Sequence, residues 1–211
     1  MAIQKTEAIL LRKRDFRETS LILTFFTKGF GKIDGIIKGA RGVRPRSEAN
    51  PIFFSLDNIV FYEKKEKGIS VISQCEAQEV FLNILKEWQR AMPAYYMLEL
   101  ADVFTEPGDK SEDIFEGLYS GFKSLDSGKE AESITRLFEI KLLTALGLWP
   151  GAEYFKLTKG AMPSLQHLER EPWKTASNMK LSKDVNNEIK TVTAKIIGEN
   201  LDRPLKTSKF L

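Results

Sequence analysis

Two clusters of basic side chains carry the chemistry this chain could do. Arg12, Lys13, Arg14 and Arg17 form the first, and Lys32, Lys38, Arg41, Arg44 and Arg46 the second. After Lys38 the only acid before Pro51 is Glu48. Gly39, Gly42 and Pro45 make a regular ladder unfavourable there, so the second cluster reads as a loop leaving a strand. Arginine suits a phosphate-binding loop because its planar fork pairs with phosphate and also stacks on bases. The competing readings are a solvated loop for the second cluster and a charge-protected edge strand for the first. Stacking platforms would be Phe16, Phe30 and Tyr62, whereas Phe25 and Phe61 fit core positions.

Catalytic chemistry finds little support. His167 is the one histidine, which removes most triads and His-based acid–base schemes. Cys75 continues the face of Ile69, Val71 and Ser73, a place for a small core residue rather than a nucleophile. Glu112 and Asp113 are accounted for by a helix dipole, and Glu130 with Glu132 by a solvated face. No G-x-x-x-x-G-K-S/T run is present, so no nucleotide cofactor is expected. The sequence reads as a non-enzyme without cofactors.

The elements that must position the basic clusters come from 211 residues that are 42% hydrophobic, enough for one large or two small domains. Net charge is +3, distributed as +4 over residues 1–80, −5 over 81–150 and +4 over 151–211. Basic ends around an acidic middle favour an anionic partner. The single cysteine excludes an internal disulfide and suits a reducing cytosol. The opening residues lack a signal-peptide pattern, and no apolar run approaches the roughly 18 residues of a membrane span. A cytoplasmic, nucleoid-associated protein without membrane contact is expected.

Residues 5–78 read as five strands: Thr6 to Arg14, Ser20 to Phe26, Lys32 to Lys38, Leu56 to Glu63 and Ile69 to Gln74. In the second, Leu21, Leu23 and Phe25 face one side and Ile22 and Phe26 the other, so it looks buried on both faces. In the third, Ile33, Gly35 and Ile37 face one side and Lys32, Asp34, Ile36 and Lys38 the other. Five short strands in so few residues suit an OB-fold barrel better than a sandwich.

From Phe81 the period becomes helical, with Phe81, Leu85, Trp88 and Met92 on one face. Pro93 kinks that helix or opens a new one. Ser111 caps a third, with Phe115, Leu118, Phe122 and Leu125 buried, and Gly128 ends it. Glu132 to Leu146 is apolar nearly all round, hence central. Residues 151–180, broken by Gly151, Gly160, Pro163 and Pro172, are expected to be loops with at most a short helical turn or hairpin. A last helix starts after Ser182 and places Val185, Ile189, Val192 and Ile196 inward. The fold class is therefore α+β, with a barrel domain at 1–80 and a helical domain at 81–211.

Three stretches together, KIDGIIKGARG after the β unit, the helix end LLTALGLWP and the terminal NLDRPLKTSKFL, resemble the RecO family, bacterial mediators of recombinational DNA repair. The opening EAILLRKRDFRETSLILTFFTKGFGKI looks like the start of that family too. The resemblance implies an N-terminal OB-fold, a helical domain, and binding of single- and double-stranded DNA. It further implies annealing of complementary strands and, with RecR, help in loading RecA onto DNA coated by SSB. Many members carry a four-cysteine zinc module after the central helix. This sequence departs from that pattern, having no cysteine between Pro150 and Ser182, so a metal-free segment is expected at 151–180.

Family members dock the acidic, apolar SSB tail on the helical domain. Lys123, Arg136 and Lys141 are the cations of the middle segment that could rim such a pocket, while Arg203, Lys206 and Lys209 could serve it or DNA. A competing function is a protein-interaction adaptor, with the barrel binding a protein and the basic loop incidental; an RNA-binding OB protein is another.

Overall fold

The computed structural model describes residues 2–40, 51–63 and 68–207. Five strands, β1 (Ile3–Phe16), β2 (Ser20–Thr27), β3 (Gly31–Ile37), β4 (Ser55–Tyr62) and β5 (Ser70–Val80), close into a barrel in the order β1-β2-β3-β5-β4. This is the OB-fold expected, with β1 long enough to pair with β4 through its first half and β2 through its second. A bulge between Leu10 and Arg12 bends β1 as it passes from one partner to the other. Ala8, Leu10, Leu21, Leu23, Phe25, Ile37, Ile59, Phe61, Ile72 and Cys75 fill the interior.

The weak point of the closure is the β3–β5 seam, where only Gly35 pairs with Ser70 and Ile36 with Val71. Ile72 packs where a Cβ on Gly35 would stand, 2.3 Å from its Cδ1, so a side chain at position 35 would have to displace Ile72. Below it the edge of β3 is met by a segment far along the chain. Pro107 bridges Lys32 in parallel, and the Gly108 N–H donates to the Lys32 carbonyl at 2.8 Å. Gly31 has φ +66°, and a Cβ there would stand 2.0 Å from the Asp109 carbonyl oxygen.

The compact unit built on the barrel thus comprises Met1–Phe81 together with Leu100–Phe115. The boundary at residue 80 is corrected to that extent: residues 100–115 follow the barrel in sequence yet belong with it.

The second unit, Leu82–Glu99 with Glu116–Leu211, is helical. Its helices are α1 (Leu82–Lys86), α2 (Trp88–Phe104, whose last residues belong to the first unit), α3 (Glu112–Asp126, beginning in the first unit), α4 (Ala131–Ala145), α5 (Ala161–Arg170), α6 (Trp173–Ala176) and α7 (Lys183–Glu199). Ser111 Oγ accepts from the Ile114 N–H, and Ser182 Oγ from the Val185 N–H, so both expected caps form. Helix α4 is central, burying ten of the eleven positions from Ser133 to Leu143, Arg136 and Glu139 among them and Lys141 the exception.

Two helical expectations fail. Phe81, Leu85, Trp88 and Met92 do not share one buried face: the helix breaks at Glu87, and Leu85 and Trp88 are exposed. Of the two readings of Pro93, a helix opening there is excluded, since Pro93 is the sixth residue of α2. Residues 151–180 hold α5 and α6, more order than expected. Pro163 is the third residue of α5, where the N–H it lacks would have no partner within the helix. Leu165, Leu168 and Ala176 then pack with Leu137, Ile140 and Ile189 in a core of their own.

Candidate nucleic-acid interface

Residues directly opposite in an antiparallel pair project to the same face. Lys13 opposes Leu23 and Asp15 opposes Leu21, so this pair lies on the interior side, at the rim beyond the packed core. Arg12 opposes Thr24, Arg14 opposes Ile22 and Phe16 opposes Ser20, which places all three on the outer face. Across β2 the same rows continue to Asp34 and Ile36. Lys38, one residue past β3, follows Asp34 and Ile36 in the alternation and extends that face toward Ser20.

The outer face of β1–β3 is therefore two-sided in character. At one end, Ile22 and Phe26 are buried and Thr24 donates to Asp34 at 2.5 Å. At the end bearing the β1–β2 turn and the exit from β3, Arg14, Arg17 and Lys38 are exposed. Phe16 is half-buried between them, and the Arg17 guanidinium lies 5.2 Å from its ring centroid. Arg17 holds φ +52° in the tight turn that swings it over that ring. Cations around a partly open aromatic ring are the components of a single-strand binding surface, one supplying phosphate contacts and the other a stacking face.

The remaining expected contacts fare differently. Arg41, Arg44 and Arg46 lie outside the described residues, in the connection that leaves after Ala40 and returns at Pro51. Lys13 donates from Nζ to the Pro51 carbonyl at 3.1 Å, so it ties β1 to the root of that connection. Arg12 is split between roles: its Nε pairs with Asp102 Oδ2 at 2.9 Å while its side chain stays 55% exposed.

Lys32 must be corrected. It is 7% exposed, and its ammonium donates to the Asp102 carbonyl at 2.6 Å, the Thr105 carbonyl at 2.5 Å and Asp102 Oδ1 at 3.3 Å. Three donors and three acceptors leave nothing for a phosphate. Lysine here closes the C-terminal end of α2, where the last carbonyls lack helical partners. The sequence held a clue in Ile22 and Phe26, whose apolar side chains share the outer face with Lys32. Asp102, seventy residues away, was not to be found from spacing.

Of the other aromatics, Phe30 sits at the β2–β3 turn and packs edge-on against Phe61 at 5.2 Å, with Lys110 Nζ 5.7 Å from its centroid. It belongs to the barrel's packing. Cys75 is buried, and desolvation, with the nearby charges of Asp57 and Glu76, pushes its thiol up to about 12, so it stays protonated and unreactive. His167 is half-buried on α5, its carbonyl receiving the Glu171 N–H.

In the helical unit a cavity of about 310 Å³ opens between α2, α4 and α7, its lining including the apolar Trp88, Met92 and Pro93 and the charged Glu132, Arg136 and Lys190. Trp88 is 61% exposed at its mouth. Of the three cations considered for such a pocket, only Arg136 lines it. Lys141 is spent on the Glu169 and Glu171 carbonyls at 2.7 and 2.8 Å, and Lys123 lies over the Tyr119 ring. At the chain's end, Glu99 accepts from the N–H groups of Lys206 and Thr207 and from the Thr207 hydroxyl. Burial works to raise the Glu99 pKa, but these hydrogen bonds outweigh it and hold the carboxyl below its usual value.

No helix among the described residues is long and apolar enough to cross a membrane. The chain matches the family model described as Recombination protein O N terminal over residues 1–81, and that described as Recombination protein O C terminal over residues 85–154. It is 26% identical to the DNA repair protein RecO of Moorella thermoacetica, over 98% of this chain and 90% of that one. The protein of the same name from Caldicellulosiruptor bescii is 29% identical over 100% of this chain and 98% of its own. That of Alkaliphilus metalliredigens is 35% identical over 69% of this chain and 59% of its own length. An OB-fold of this strand order, a helical unit after it, and similarity running the length of the chain agree: the protein belongs to the RecO family of DNA repair proteins.

Proposed function

We propose that this protein is a DNA-binding recombination mediator that anneals complementary strands and, with RecR, helps load RecA onto SSB-coated single strands. The observation that carries the reading is the gathering of Arg14, Arg17 and Lys38 around Phe16 at one end of the barrel's outer face, with Arg12 further along β1 and paired to Asp102. Lys13 stands at the rim, and the connection carrying Arg41, Arg44 and Arg46 leaves from the same end. Lys32 takes no part.

Annealing by such a face needs no bound energy source. Basic side chains displace condensed counterions and screen two phosphate backbones from each other, and base pairing supplies the free energy. Contacts to the backbone carry no sequence information, as a protein acting on any broken DNA requires. Double-stranded DNA meets the same cations, without the stacking on Phe16. No residue of this scheme performs bond chemistry, so the reading is non-enzymatic.

The cavity beside Trp88 and Arg136 suits the SSB tail, which is apolar and acidic. Apolar side chains of the tail would enter against Met92 and Pro93, and its carboxylates would meet Arg136 and Lys190.

The test is fluorescence anisotropy of a labelled single-stranded oligonucleotide across a salt series. For single strands the log–log slope is about −0.7 per phosphate neutralised. Replacing Arg14, Arg17 and Lys38 together with alanine is expected to weaken binding and flatten the slope by roughly 2. The triple alanine replacement of Arg41, Arg44 and Arg46 is expected to flatten it by a similar amount. An unchanged slope in both variants would remove DNA from this end of the barrel. Absence of wild-type binding to any nucleic acid at low salt would put a protein-interaction adaptor in its place.

A further inference from the structure

Asp102 stands between two cations of the barrel unit and meets them differently. Its Oδ1 is 3.3 Å from the Lys32 ammonium, which is buried and fixed on the Asp102 and Thr105 carbonyls. Its Oδ2 is 2.9 Å from Arg12 Nε, and here the exposures diverge: the aspartate side chain is 9% exposed and the arginine side chain 55%. A carboxylate buried and held from the far side is a fixed point, and Arg12 is tied to it by one edge of its guanidinium.

That tie leaves most of the guanidinium unused. Arginine carries five N–H donors in a rigid fork, and four of them sit on the two terminal amino groups. Those amino groups have no protein partner among the described residues. The other acid of the same outer row, Asp34, receives the Thr24 hydroxyl instead. Arg12, Arg14 and Phe16 share the outward parity of β1, at steps of about 7 Å. Such a step is comparable to the separation of neighbouring phosphates in an extended single strand. An ion pair with so exposed a partner adds little to stability. An untethered arginine, by contrast, gives up many rotamers when it binds, and a tether removes that loss in advance.

We infer that Asp102 is a positioning residue for DNA binding, holding Arg12 with its terminal amino groups outward, one step along β1 from Arg14, to receive a phosphate. The inference rests on the reading of this outer face as a DNA surface, and adds a residue that the DNA itself does not touch. It also carries a sign. On charge alone a carboxylate repels the phosphate backbone, so its removal tightens binding. As a tether, its removal weakens binding.

The experiment is fluorescence anisotropy of a labelled oligothymidine on the full-length protein across a salt series. Arg12→Ala is expected to lose one phosphate contact and flatten the log–log slope by about 0.7. Asp102→Ala is expected to weaken binding about three- to tenfold, the range for ordering one long side chain. In the Arg12→Ala background the same change is expected to weaken nothing, since no guanidinium is left to position. Arg12→Lys keeps the charge without the fork. Its one ammonium is drawn to Asp102, so this variant is expected to bind as weakly as Arg12→Ala.

An Asp102→Ala protein that binds as tightly as wild type, or tighter, would leave Asp102 a repelling charge and overturn the proposal. A loss by one factor in both backgrounds would come through the fold and overturn it as well. If Asp102→Ala does not fold, the lysine variant decides: binding like Arg12→Ala upholds the tethered fork, and binding like wild type removes it. If Arg12→Ala matches wild type while the Arg14, Arg17 and Lys38 triple variant is weakened, DNA stays on this face and Asp102 has no part in holding it. If neither is weakened, the DNA reading of the face fails as a whole.

Discussion

Lys32→Met is expected to destabilise the barrel unit by about 3–5 kcal/mol, the usual cost of removing one member of a buried, hydrogen-bonded charge pair. Methionine keeps the length and the apolar stem, so the change isolates the ammonium. What it leaves behind are the Asp102 and Thr105 carbonyls without a donor and Asp102 with Arg12 alone. Arg12→Ala removes the exposed half of the same cluster and should cost less than about 1 kcal/mol, as exposed ion pairs do. Urea unfolding followed by circular dichroism measures both. Near-equal effects would show that the ammonium is not the anchor of residues 100–115. A fall in DNA affinity in Lys32 variants should accordingly track the unfolded fraction and leave the salt slope of the folded protein unchanged.

Asp57→Asn is expected to stabilise the protein at pH 8 by about 2–3 kcal/mol and to have little effect near pH 4. Asp57 points into the barrel, is 1% exposed, and has only the Ser55 hydroxyl at 2.9 Å on Oδ1; Oδ2 has no partner. Desolvation pushes its pKa from 3.8 up to about 6, against the lowering effect of Ser55. The folded state therefore holds this proton more tightly than the unfolded chain does. Its contribution is fully favourable below the unfolded value, declines as pH rises between about 4 and 6, and stays at its lower level above that. At roughly 1.4 kcal/mol per pKa unit, a shift of about two units sets the size of the gain. Melting temperatures of both proteins from pH 4 to 8 measure it. Curves that stay parallel across that range would mean that Asp57 carries no buried charge.

The barrel was legible because its information is local. Leu21, Leu23 and Phe25 alternate with Ile22 and Phe26, and both sets are buried, one in the barrel and the other beneath what covers it. Ile37 lies inside as its parity requires. Lys32 was misread because parity reports which face a residue occupies and not what stands over that face. Its cover comes from residues 100–115, and no period links the two.

The stripe from Phe81 to Met92 failed for a related reason: a helical period was extended across Glu87, where the chain leaves one helix and enters another. Trp88, left exposed by that break, borders the cavity.

The covering of β3 by Leu100–Phe115 has a consequence for how the protein is made. A ribosome delivers β5 before it delivers this segment, and at about 5–20 residues per second the interval between residues 81 and 115 is roughly two to seven seconds. Throughout it the nascent barrel has a two-residue seam between β3 and β5 and an ammonium at Lys32 with none of its acceptors. Translation pauses in this window, or gene fragments that stop at the end of β5, would present an open sheet edge to other chains. A fragment meant to carry the barrel alone has to run past Phe115 to be one.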